Sequence, residues 1–115
     1  MGMTIDALAK KVGARILVRG RARSTEIDGI YASDRMSDLL SRVSDSTLLI
    51  TPLLTSSVVR MVELMDVPGI CLLNDAEPGA PLLEAAREYR ATLLVSPYNE
   101  DETCRRFREA LGLEP

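Results

Sequence analysis

Residues 46–74 read STLLITPLLTSSVVRMVELMDVPGICLLN, and this stretch decides the fold. "STLLIT" (46–51) is an uninterrupted apolar run closed by Pro52, the pattern of a strand buried on both faces. "SSVVRMVELM" (56–65) then reads as a helix with Thr55 as its cap. "DVPG" turns the chain into "ICLLN" (70–74), a second continuous apolar strand. Two buried strands joined by a helix form the unit of a parallel sheet, because parallel neighbours need a crossover between them.

Downstream the alternation continues. "APLLEAAREY" (80–89) predicts a helix with Leu82, Leu83 and Ala86 inward, and "ATLLVS" (91–96) a last strand. Asn99 caps the final helix with Glu102 three residues on, and Gly112 stands near its stop. Upstream, Thr4 caps "IDALAKKV", with Asp6 in the first turn and Gly13 at the end. "ARILV" (14–18) and "IDGIYA" (27–32) read as strands, joined by the Arg-rich turn "RGRARSTE". "DRMSDLLSRV" (34–43) places Met36, Leu39, Leu40 and Val43 at helical spacing.

The pattern predicts one α/β domain over residues 1–115, a mostly parallel sheet of about five strands with helices on both faces. The two early strands are expected as an antiparallel pair at one edge. At 115 residues the chain can bury roughly two thirds of its unfolded surface in one core. Aromatic residues make up 3%, with no Trp and one Phe, so that core must be aliphatic.

Composition also narrows the chemistry. The chain has no His, and Cys71 and Cys104 lie far apart, so transition-metal sites and His-based catalysis have no residues to build on. Cys71 alternates within an apolar strand, and Cys104 follows Glu100, Asp101 and Glu102, which oppose a thiolate. No GxxxxGK[ST] phosphate loop is present, which leaves ATP-dependent phosphoryl transfer without apparatus. A net charge of −3 does not favour nucleic acid. No apolar run approaches the roughly 20 residues of a membrane helix. The N-terminus lacks a signal-peptide layout, so a cytoplasmic location is expected.

Three stretches offer candidate contacts. "SDRMSD" (33–38) follows a strand and opens a helix, as helix caps do and as ligand loops of open α/β sheets do. "ITPLLTSS" (50–57) sets Thr51, Thr55, Ser56 and Ser57 beside a helix start, where an anion or a cap is accommodated. "NDAEP" (74–78) follows the next strand. Lys10, Lys11, Arg15, Arg19, Arg21 and Arg23 crowd the start of the chain, either as a phosphate or acidic-partner site or as a solvated face. Helix 56–65 is apolar beyond one stripe, which buries it either in the core or against another subunit.

The series "IDGIYASDRMSDLL", "LLITPLLTSSVVRMVELMDVPGICLLND" and "ATLLVSPYNEDETCRRF" resembles the DRTGG domain family over residues 4–113. It is most similar to the small stand-alone members, some encoded near iron-only hydrogenase genes and often labelled HPr-kinase-like. The namesake string is absent, and Leu53-Leu54-Thr55 stands where many members carry an acidic-basic pair. The resemblance implies a fold like the N-terminal domain of HPr kinase and of certain Mur ligases. It implies a regulatory or assembly module, often dimeric and sometimes beside nucleotide-sensing CBS domains, and not the catalytic part of the kinase.

The reading is a non-catalytic regulatory or scaffold domain that self-associates, as a homodimer, and senses a small anionic ligand such as a nucleotide. Its candidate contacts are Ser33, Asp34, Thr51, Thr55 and Asn74, with Arg21 neutralising phosphate. Val59, Met61 and Val62 are the candidate self-association residues. No cofactor, metal, nucleic acid or membrane partner is expected. One alternative is a protein-binding adaptor in a hydrogenase or other redox assembly. Another is an enzyme using Asp34 and Asp38, which are four apart and so share a helix face.

Overall fold

The computed structural model describes residues 2–20, 25–32 and 45–113; at Ser56, at 61–63 and at Met65 it describes the backbone. In chain order the elements are β1 (Met3–Thr4), α1 (Ile5–Val12), β2 (Arg15–Val18), β3 (Glu26–Ile27), β4 (Gly29–Ala32) and β5 (Thr47–Ile50). They continue as α2 (Ser56–Met65), β6 (Gly69–Leu72), α3 (Ala80–Glu88), β7 (Thr92–Val95) and α4 (Glu100–Leu111). The helix expected over 34–43 lies outside the described residues.

Strands β4, β5, β6 and β7 run parallel, and β2 lies antiparallel to β7, giving a five-stranded sheet of order β2-β7-β6-β5-β4. This is the expected mostly parallel sheet. Period-two alternation divides its side chains between two layers. Leu49, Ile70, Leu72, Leu93 and Val95 face one layer, where Val58 and Val59 of α2 and Leu82 and Ala86 of α3 cover them. Leu48, Ile50, Cys71, Leu73 and Leu94 face the other, under Ile5, Leu8 and Val12 of α1 and Phe107 and Leu111 of α4.

Two expectations about the early strands change. They do not pair with each other: β2 joins β7 at one edge and β4 joins β5 at the other. Each crossover from β4 to β7 advances one place along the sheet, so β2 finds its partner on the open side of β7, beyond the end of that run. The run 27–32 is also split at Asp28. Strand β3 pairs antiparallel with β1 in a separate two-stranded sheet, while Asp28 N donates to Ser46 O (3.1 Å) and directs β4 onto β5.

The helix ends follow the local signals. Thr4 Oγ1 accepts from Ala7 N, and Gly13 closes α1 in the left-handed region at φ 81°. Asn99 Oδ1 accepts from Glu102 N at 2.9 Å, and Gly112 (φ 72°) closes α4. The reciprocal half of that capping box is not made, because the Glu102 carboxylate binds Arg105 and Arg106 instead. Gly20 answers a packing need. A Cβ there would lie 2.3 Å from Arg90 O, and Gly20 N donates to Thr92 Oγ1.

Val59, expected at a self-association surface, is fully buried inside the chain's own core, because it points from α2 onto the sheet. The side chains of Met61 and Val62 lie outside what is described. Leu64 on the same helix is 79% exposed.

Phe107, the one Phe, is fully buried beneath α1 and the sheet. Phe107→Ala should lower unfolding free energy by about 3–5 kcal/mol through lost contacts and an unfilled cavity. A denaturant titration checks this: the midpoint should fall while the slope stays constant.

Candidate functional site

Parallel strands deliver their exit loops to one edge of a sheet, where open α/β folds hold ligands. Here Ala32 is level with Ile50, Ile50 with Cys71, and Leu72 with Val95, so Thr51, Asn74 and Ser96 all follow strand ends on that edge. Strand β2 runs the opposite way, so its first residue, Arg15, sits level with Val95 at the same edge.

Each loop has its own local logic. Thr51 N donates to Cys71 O, and Thr51 Oγ1 accepts from Leu53 N at 3.2 Å. Thr51 is fully buried, so its hydroxyl shapes the turn and does not present itself to a ligand. This corrects its placement among direct contacts. Four residues on, Thr55 and Ser57 are exposed and share a hydroxyl–hydroxyl hydrogen bond of 2.8 Å at the start of α2. Val58 N donates to Thr55 O, which opens the helix.

After β6, Asn74 and Asp75 both adopt left-handed backbone (φ 56° and 53°), a conformation Asn and Asp tolerate better than other side-chain-bearing residues. Asn74 N donates to Tyr98 O and Asp75 N to Ser96 O, each at 2.8 Å, which ties the exit loops of β6 and β7 together. Asn74 is exposed. Asp75 Oδ1 pairs with Arg15 at 3.1 Å, with both side chains 64% exposed.

Beneath them lies a buried hydroxyl pair, Ser96 Oγ and Thr103 Oγ1, 2.7 Å apart. Ser96 Oγ accepts from Tyr98 N, and Thr103 Oγ1 donates to Tyr98 O. The pair fixes the Ser96-Pro97-Tyr98-Asn99 turn that launches α4. Sequence reasoning missed it, because the partners sit on different elements with no periodic signal between them.

The edge therefore brings together Thr51, Thr55 and Asn74 from the expected set, with Ser57, Asp75 and Arg15 beside them. Ser33, Asp34 and Arg21 lie outside the described residues, as does the Asp34–Asp38 pair. Arg19, from the same Arg-rich loop, is committed to Asp6 at 2.6 Å.

Other chemistry is weak. Burial, with smaller help from the nearby Cys104, pushes the Cys71 thiol up to about 12. Burial raises Cys104 as well. The guanidinium hydrogen bonds of Arg105 and Arg106 hold Glu102 down at about 2. Shallow clefts flank α4: one of about 270 Å3 at Lys11, Arg105 and Arg106, and another of about 320 Å3 between α4 and β4. In the first, Arg105 is occupied by Glu102 and Glu109, while Arg106 binds Glu102 and stacks 3.9 Å above the Tyr98 ring. Among the described residues no group of His, Cys, Asp and Glu could hold a metal, and no helix is long and apolar enough to cross a membrane.

No family model matches the chain, and no curated protein matches it in sequence. Its fold is similar to the crystal structure of the CBS and DRTGG domains of the regulatory region of Clostridium perfringens pyrophosphatase, complexed with the activator diadenosine tetraphosphate. The TM-score is 0.75 at 14% identity, over 94% of this chain and 47% of that one. The chain thus spans about half the length of that neighbour, and at this identity the likeness is one of fold. It supports the DRTGG-like fold that the sequence resemblance implied.

The raised Cys71 thiol yields a test with a definite sign. A group kept protonated in the folded chain contributes stability that is complete below its ordinary value of 9.0 and is lost as pH rises toward 12. Between those values stability should fall more steeply in wild type than in Cys71→Ala, as measured by urea unfolding. Near neutral pH, neither cysteine should react with a thiol reagent until the chain is unfolded.

Proposed function

We propose that this chain is a non-catalytic regulatory module that senses an anionic small molecule, a nucleotide first among them, and works as a homodimer. The observation that carries the ligand half is the carboxyl edge of the parallel sheet. Exposed Thr55 and Ser57 hydroxyls stand there at the N-terminus of α2, Asn74 stands on the neighbouring loop, and Arg15 stands beyond it. A helix N-terminus favours negative charge through its N–H groups and dipole, and hydroxyls beside it add donors.

Arg15 offers a cation at this edge in addition to the candidate Arg21. Its bond to Asp75 is exposed, and an exposed ion pair of this kind is worth only about 0–1 kcal/mol, so a phosphate can replace the carboxylate at small cost. From β5 to β2 the edge crosses three strand spacings, about 14 Å, a span suited to an elongated polyphosphate. The fold likeness to a regulatory region solved with a dinucleotide activator supports the same reading. So does the state of the thiols, which burial keeps protonated and unsuited to nucleophilic work.

A thermal-shift and calorimetric screen with ATP, ADP, AMP and diadenosine tetraphosphate tests this. A ligand bound only by the folded state should add about 2.7 kcal/mol of stability at a hundredfold excess over its Kd. Arg15→Ala and Asn74→Ala should each weaken binding by about tenfold, the loss of one charged or well-placed hydrogen bond, while leaving the unliganded chain folded. A folded chain that responds to none of these nucleotides overturns the ligand half.

A further inference from the structure

The two edges of the sheet are built differently. Strand β2 is guarded. Its register with β7 slips between Ile16 and Val18, a bulge at Leu17, and it carries an exposed Arg15 at one end with Arg19 just past the other. Bulges and charges are the devices by which edge strands avoid pairing with other chains. Strand β4 has no bulge: it reads Gly29-Ile30-Tyr31-Ala32, without charge or proline within it, its register with β5 is unbroken, and the exposed Asp28 stands just before its start.

Among the described residues β4 has a strand neighbour on one side only. Asp28 N points to β5, and pleat alternation then turns the N–H and C=O groups of Gly29 and Tyr31 to the open side. Its four residues are half-buried, whereas β6 and β7 are buried throughout. Beside this open edge runs the cleft of about 320 Å3 shared with α4, where Glu100, Asp101 and Arg108 join Ile30, Tyr31 and Ala32.

The charges on α4 divide by pairing. Glu102, Arg105, Arg106 and Glu109 are satisfied among themselves. Glu100, Asp101 and Arg108, which line the cleft toward β4, make no ion pair among the described residues. They form an acidic end and a basic end about 10 Å apart along the helix, close to the ~13 Å length of a four-residue strand.

We infer that the open edge of β4 is an interface between two copies of this chain, β4 pairing antiparallel with the partner's β4 to make one continuous sheet. A two-fold axis normal to the sheet keeps both α4 helices on one face and runs them antiparallel. Asp101 and Glu100 then come opposite the partner's Arg108, and Arg108 opposite the partner's Asp101 and Glu100. A patch that is its own complement is what an isologous contact requires. The inference rests on the homodimer half of the proposed function, locates it on β4 rather than α2, and is independent of the nucleotide half.

Sedimentation equilibrium of the full chain, without nucleotide, is the test. Wild type should be a dimer. Arg108→Glu, which sets like charges across the axis, should weaken the dimer by at least about tenfold, and adding Asp101→Arg to that variant should restore it. Circular dichroism controls for folding, since these side chains are exposed. A wild-type chain that stays monomeric up to about 100 μM overturns the inference. So does an Arg108→Glu dimer of unchanged affinity, or a dimer broken by Leu64→Lys on α2 and not by Arg108→Glu. Nucleotide binding measured on the Arg108→Glu monomer keeps failure here separate from failure of the ligand half.

Discussion

Strands β5, β6 and β7 are apolar on both faces, and a sheet of that kind is stable only when two helical layers exclude water from it. The rest of the molecule follows from this demand. The crossovers α2 and α3 supply one layer. The second needs helices from outside the crossover series, and the two ends of the chain provide them, α1 first and α4 last. Phe107, the bulkiest fully buried side chain, sits where those two helices meet the sheet.

Covering both faces leaves polar groups to the edges. At the carboxyl edge the exit loops are joined by backbone hydrogen bonds from Asn74 and Asp75 to the turn after β7. That turn is held from below by Ser96 and Thr103, whose buried hydroxyls satisfy each other and Tyr98. Asn74, an outward side chain of this edge, is thereby carried on anchored backbone. Such preorganisation lowers the ordering cost of binding. At the lateral edges the same sheet ends once in a bulged, charged strand and once in a plain apolar one.

Local signals in the chain have local causes, and they were legible. Thr4, Gly13, Asn99 and Gly112 mark helix ends because capping acts within four residues. The apolar runs at 46–51, 70–74 and 91–96 announce strands because burial on both faces removes every polar position. Helix 56–65 was legible as a helix, but its apolar excess could not say which residues face inward. Val59 does, and Leu64 does not. Thr51 was legible as a strand-end residue, yet only the packing of its neighbours shows that its hydroxyl is consumed by Leu53 N.

By itself, then, the sequence determined the class of the fold, the order of strands and helices from residue 46 onward, the aliphatic core and the absence of His chemistry. All of these depend on residue type and short-range period. The tertiary structure decided which strand takes which edge, how the run 27–32 divides at Asp28 between two sheets, and that Arg15 stands beside Asp75. It also decided that Ser96 meets Thr103. The physical reason is common to them all. Pairing across a sheet, and contact between a strand end and a distant helix, are fixed by the competition of whole elements for buried area and open hydrogen-bonding edges. No local pattern records the outcome.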